Sequence, residues 1–143
     1  MKLIIAGPRK FEDYDTLLFA VESSPFSHIT EVVCGCAPGA DRLGHRWARE
    51  VGIPVIFMPG WAYQTTWAKQ NIHLGEILLA DFDEYGNHAG MLRNAQMGDY
   101  ADAAVVIDAG TSGSSHMIQK MKDRSKPYLA YKVSKFMLQR GNP

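Results

Sequence analysis

Two hydrophobic rhythms alternate along the chain. Short apolar runs read as buried strands, and between them apolar residues recur at helical spacing. Residues 2–6 (K-L-I-I-A) form the first run, stopped by Gly7-Pro8, and predict a central strand. Asp13 then reads as the N-cap of a helix with Tyr14, Leu17, Leu18 and Val21 on its inner face, ended by Ser23-Ser24-Pro25. Residues 31–34 (E-V-V-C) are β-branched and apolar, which suits a second strand. Ala40, Leu43, Gly44, Trp47, Ala48 and Val51 then fall on one helical face, with Gly52 and Pro54 as stop signals. Residues 54–58 predict a third strand, closed by Pro59-Gly60.

The segment 61–86 is aromatic-rich and less regular. Thr66 can cap a helix reaching about Ala80, with Leu74, Ile77 and Leu78 on one face. A helix is predicted over 88–101, carrying Arg93, Asn94 and Met97. The run 103–107 (A-A-V-V-I) is wholly apolar and predicts a fourth strand buried on both faces. A Gly/Ser-rich turn, 108–115, leads into a helix over 114–124 with Met117, Ile118 and Met121 inward; residues 127–131 form a fifth strand. Residues 132–143 are a tail without an assigned element. Strand and helix alternate throughout, so the fold class is α/β: one domain over 1–143, an open parallel sheet of about five strands, right-handed crossovers and helices on both faces.

Composition narrows the function classes. The 143 residues carry 15 Lys and Arg against 15 Asp and Glu, a formal net charge of zero. That argues against a protein that coats nucleic acid through bulk charge. No apolar run reaches membrane-spanning length and no leader sequence is visible, so the expected setting is the cytoplasm, away from membranes. Cys34 and Cys36 are too close for an unstrained disulfide and too few for a zinc site, and read as buried thiols. His28, His73 and His88 share no metal-ligand spacing; neither a metal nor a cofactor is expected.

The candidate chemistry lies in the turns. In an open α/β sheet, ligands bind beyond the C-terminal strand ends. Three turns leave strands there: 7–10, 35–41 and 108–115. Gly7 permits close backbone approach and Arg9 and Lys10 can meet an anion. Gly35 and Gly39 precede a helix whose free N–H groups and dipole favour a phosphate, although both glycines also suit a plain tight turn. Gly110, Thr111, Ser112, Gly113 and Ser114 repeat the arrangement, with Ser115 adding a hydroxyl and Arg93 a candidate cation. Asp41 reads either as a charge–dipole contact in its helix's first turn or as a hydrogen-bond partner of a ribose hydroxyl. His116 reads as acid or base, or as polar lining. His45 and Arg49 read as surface. Trp61, Tyr63, Trp67, Phe82 and Tyr85 suit base stacking, core packing or a subunit contact. Neither a Gly-Lys-Ser/Thr P-loop nor a G-x-G-x-x-G fingerprint is present, so ATP hydrolysis and hydride transfer find no support.

Taken together, residues 33–48 (V-C-G-C-A-P-G-A-D-R-L-G-H-R-W-A), Arg93-Asn94-x-x-Met97, Ala101-Asp102-Ala103 and residues 110–118 (G-T-S-G-S-S-H-M-I) resemble the small YspA-like branch of the SLOG superfamily. DprA/Smf proteins and the Lonely-guy (LOG) phosphoribohydrolases belong to the same superfamily. The resemblance spans most of residues 2–131. It implies a Rossmann-like sheet, a nucleotide or nucleotide-derived ligand and a homo-oligomer. It also implies that 61–86 is a variable inserted segment. LOG enzymes hydrolyse the N-glycosidic bond of a nucleoside monophosphate. Arg93 and Met97 match their Arg-Lys-x-x-Met motif, and Gly110, Gly113 and Ser114 approximate their P-G-G-x-G-T-x-E motif. His116 stands where those enzymes carry the catalytic Glu, so hydrolysis here requires another carboxylate, such as Asp41, Asp108 or Glu84. The resemblance thus leaves three expectations: a nucleotide N-glycosidase using Arg93, His116 and Asp41; a non-catalytic sensor or scavenger of a nucleotide signal; and a DprA-like single-strand binder built on Trp61, Trp67 and Lys69.

Overall fold

The computed structural model describes residues 1–78 and 83–140, with the side chains of all of these except 83–85, 139 and 140. The apolar runs form the strands of one parallel sheet. In chain order the elements are β1 (Lys2–Ala6), α1 (Tyr14–Glu22), β2 (Glu31–Cys34), α2 (Ala40–Val51), β3 (Val55–Phe57), α3 (Ala62–Asn71) and β4 (Gly75–Ile77). A 3₁₀ turn (Asp83–His88) leads into α4 (Ala89–Tyr100), β5 (Ala103–Asp108), α5 (Ser112–Asp123), β6 (Tyr128–Lys132) and α6 (Phe136–Arg140). The strand order is β4-β3-β2-β1-β5-β6, and every pair is parallel.

Alternation along each strand divides the core into two layers. Leu3, Ile5, Val32, Cys34, Val55, Phe57, Val105 and Ile107 face α1, α2 and α3. Ile4, Ala6, Val33, Ile56, Ala104 and Val106 face the other way, onto Met97 of α4 and Met117 and Met121 of α5. Asp13 caps α1, its carboxylate accepting from the Thr16 N–H at 3.1 Å. Gly52 ends α2 in the left-handed conformation.

The sheet has one strand more than the five expected, and the extra one lies in the aromatic segment. The helix there starts at Ala62 rather than Thr66 and stops at Asn71 rather than near Ala80. Gly75 explains the stop. Its φ is +109°, and a Cβ there would lie 2.0 Å from the Val55 carbonyl oxygen, so the chain crosses against β3 as a strand. Leu74 is consequently exposed, while Ile77 packs on the core from a strand instead of a helix. Phe82 lies outside the described residues, as do the side chains of Glu84 and Tyr85. The unassigned tail contributes α6, whose Met137 and Leu138 pack on the α1/α2 layer.

The chain moves outward from β1 to β2, β3 and β4, then returns to β1's other side with β5. The strand order therefore reverses between β1 and β5. Helices approach from opposite faces there, leaving a crevice at the C-terminal edge.

Candidate functional site

A cavity of about 370 Å³ occupies that crevice. Its floor is the β1 exit, Ala6 to Lys10; one wall is Ala37 and Asp41 from the β2–α2 turn, and the opposite wall is Thr111, Ser112 and Gly113 at the start of α5. Arg93, Asn94 and Met97 enter from α4, and Leu138 from α6. A second chamber of about 360 Å³ adjoins it, sharing Arg9, Arg93, Asn94, Ser112 and Gly113 and adding Trp61, Met91 and His116.

The two turns that resemble each other in sequence differ in what they leave free. In the β2–α2 turn the donors are used internally. The Ala40 N–H donates to the Pro8 carbonyl at 3.2 Å, and the Ala37 N–H to the Asp41 carboxylate at 3.2 Å. Gly39 backs onto the carbonyls of Pro8 and Arg9, and Gly35 sits between Asp41 and Arg93. Neither glycine lines the cavity. At the start of α5 no side chain caps the backbone, and the first helical bond is Ser115 N–H to Thr111 C=O at 3.1 Å. The preceding N–H groups have no intrahelical acceptor, as at any helix start. Those of Ser112 and Gly113 lie at the wall common to both chambers. Ser114 is spent elsewhere: it is buried, and its hydroxyl donates to the Ile107 carbonyl at 3.0 Å. Gly110 donates its N–H to Asp108 Oδ1 at 2.9 Å, so Asp108 closes the turn, and neither residue lines the cavity.

Arg93 is the electrostatic centre. It is 6% exposed, yet no carboxylate lies within 4 Å of it among the described residues. Its guanidinium is held by neutral acceptors: Nη1 by the Gly35 carbonyl and by Gln64 Oε1 at 3.2 Å, Nε by Asn94 Oδ1 at 3.0 Å. A buried cation so held has no carboxylate in ion-pair contact, and Asp41 offsets its charge only from a longer distance. Arg9, exposed at the mouth, adds a second positive charge.

Asn94 transmits Arg93's orientation to His116. A guanidinium only donates, so the amide atom facing it is the oxygen. The amide nitrogen then faces His116 Nδ1 at 3.2 Å, and that ring atom must accept. The imidazole proton is thereby fixed on Nε2. Burial, with help from Lys120, pushes the His116 pKa below its ordinary value of 6.5, so the ring is neutral at pH 7.

Asp41 is 5% exposed. Burial raises its carboxyl pKa, against the opposing pull of Arg93 and of backbone N–H groups from Ala37 and Gly7. Both sequence readings thus have a physical basis: the carboxylate sits in the first turn of α2 and also on the cavity wall.

His45 is not on the surface. It is 7% exposed, wedged between Phe57 and Trp67 at centroid distances of 5.5 and 5.2 Å, with Nε2 against the Asn71 carbonyl at 3.3 Å. The extra strand and the earlier end of α3 bring that carbonyl over it. Trp67 is committed to this core cluster, and Trp61 lines the second chamber. Gln64 carried no sequence signal, because Thr66 was the apparent helix start. It is fully buried, and its Oε1 accepts from both the Gly60 N–H at 2.7 Å and Arg93. Leu138 was hidden in the tail.

Among known proteins, residues 1–63 match the family model described as YspA, cpYpsA-related SLOG family. That match covers the N-terminal 63 of the 143 residues and marks a similarity to this family. The matched residues span β1 to the start of α3, so they include Arg9 and Asp41 while Arg93 and the α5 turn lie beyond them. The Gene 61 protein of Mycobacterium phage D29 is 27% identical over 139 residues, covering 91% of this chain and 95% of that protein. DNA processing protein A (DprA) from Streptococcus pneumoniae superposes with a TM-score of 0.71 at 17% identity over 98% of this chain. The chain spans about half of DprA's length, 53%. The structural-genomics target TM1055 superposes at 0.58, with 17% identity, over 90% of this chain and 72% of its own. Both superpositions bear out the Rossmann-like sheet. Among the described residues no helix is long and apolar enough to cross a membrane.

Proposed function

We propose that the crevice binds a nucleotide or nucleotide-derived ligand through its phosphate. The observation that carries this reading is the buried Arg93 guanidinium, without a carboxylate partner among the described residues, beside the uncapped start of α5. A phosphate there receives N–H groups from Ser112 and Gly113 and positive charge from Arg93 and Arg9. The similarity of residues 1–63 to the SLOG family model supports the same ligand class. The sugar then lies toward Asp41 and Asn94, whose polar atoms match ribose hydroxyls. Among the described residues Asp41 is the carboxylate that lines the cavity for cleavage of the N-glycosidic bond, since Asp108 is engaged with Gly110 and does not line it.

The test is a panel of ribo- and deoxynucleoside monophosphates, followed by melting temperature and by chromatography for free base. A raised melting temperature for at least one nucleotide, lost in Arg9→Ala and Arg93→Lys, is the expected result. Arg9 is exposed, so its loss leaves the fold intact. Base release abolished by Asp41→Asn identifies a hydrolase; binding with intact nucleotide identifies a sensor or scavenger. No shift and no release across the panel would overturn the proposal.

A further inference from the structure

With phosphate at the shared wall and sugar toward Asp41, the proposed nucleotide pose leaves the second chamber unfilled. It shares the anion-binding wall with the first, so one phosphate-bearing group touches both. Its own residues are of a different kind. Trp61 stacks on Tyr63 at a centroid distance of 6.4 Å, lies under the Arg9 guanidinium at 5.5 Å, and donates its indole N–H to the Gly86 carbonyl at 2.8 Å, so a planar ring reaches it by displacing the exposed Arg9 side chain. Gly90 is what lets that ring close on α4: a Cβ there would lie 2.7 Å from the indole. Met91, 51% exposed, extends the apolar wall. His116 and Asn87 supply polar edges, with the His116 proton fixed on Nε2 by the Arg93–Asn94 relay. A flat apolar wall with hydrogen-bonding groups at its rim is what a heterocycle requires.

We infer that the ligand carries a second planar ring system on the far side of its phosphate: two nucleoside-like groups joined through phosphate, one in each chamber. Each chamber, at about 370 and 360 Å³, lies near the lower limit for a pocket that encloses a small organic ligand, so neither holds the whole of such a molecule. The inference rests on the phosphate-site reading above. It assigns Trp61 as the residue that distinguishes the joined ligand from a mononucleotide.

The experiment compares symmetrical dinucleoside diphosphates of A, G, C and U with the matching monophosphates by titration calorimetry. For at least one base the joined ligand should bind about tenfold more tightly, the effect expected of one added stacking contact. Trp61→Ala should bring that ratio close to one. Met91→Ala, at an exposed position where folding is not at stake, should reduce it about twofold. Monophosphate binding with no gain for the joined ligand would overturn the inference and leave the phosphate site standing. A tenfold gain that survives both substitutions would overturn it as well, and binding of neither probe would remove both readings.

Discussion

Asn94 shows how one side chain sets the state of two others. Its amide accepts from Arg93 and, through its nitrogen, requires His116 to be neutral at Nδ1. Asn94→Asp keeps the shape and inverts that requirement. The carboxylate still accepts from Arg93, but it now calls for a proton on His116 Nδ1, and its charge favours the imidazolium. The His116 pKa, held below 6.5 in the native protein by burial and Lys120, should rise by at least one unit. An NMR titration of the histidine ring protons reads this directly, and an unchanged midpoint would break the relay argument. The same substitution places a negative charge beside the anion-binding wall, so phosphate affinity should fall about tenfold or more in parallel.

At the level of elements, the start of α5 carries two functions that its sequence does not separate. Ser112 and Gly113 line the cavity with N–H groups that have no intrahelical acceptor, while Ser114 ties the helix to the end of β5 through the Ile107 carbonyl. Ser114→Ala should therefore cost about 1 kcal/mol in urea unfolding while leaving ligand affinity nearly unchanged. Gly113→Pro should do the reverse, because it removes an N–H at a position in the first turn that tolerates proline. The serines look equivalent in a Gly/Ser-rich run, and only the register of the helix tells them apart. The same limit explains what was legible earlier. Strands β1, β2, β3 and β5 were readable because their apolar runs end at glycine, proline or charged residues. The α2 face was readable from its spacing, although Val51 turned out exposed and His45 buried. Strand β4 was not, because Gly75, Glu76 and Ile77 offer no apolar run, and the strand exists only through its pairing with β3. At the site, Arg9, Asp41 and Arg93 stood out as charged residues near turns, whereas Gln64 depends on a helix start that Trp61, rather than Thr66, defines.

For the whole molecule, buried titratable groups in the core and the crevice set pH-dependent terms of opposite sign. His45 and His116 have pKa values lowered by burial, so their contribution to stability is present above 6.5 and is lost as pH falls through their lower native values. Asp41 runs the other way. Burial raises its pKa above 3.8, so its contribution is present at acid pH and is lost as pH rises through the raised native value. Above its native titration the Asp41 carboxylate is charged, and the fold bears a desolvation cost that Arg93 and the Ala37 and Gly7 N–H groups only partly offset. Asp41→Asn should thus raise the melting temperature at pH values above the native Asp41 titration, and the gain should shrink as pH falls through it. The amide oxygen still accepts from the Ala37 N–H, which keeps the turn closed. Melting curves of both proteins across a pH series from 4 to 9 decide the matter. A more stable but inactive variant would mean that the carboxylate is retained for what it does to a ligand, at a cost to the fold. A lower melting temperature above that titration would mean that its hydrogen bonds to the Gly7 and Ala37 backbone outweigh its burial, and that Asp41 belongs first to the architecture of the turn.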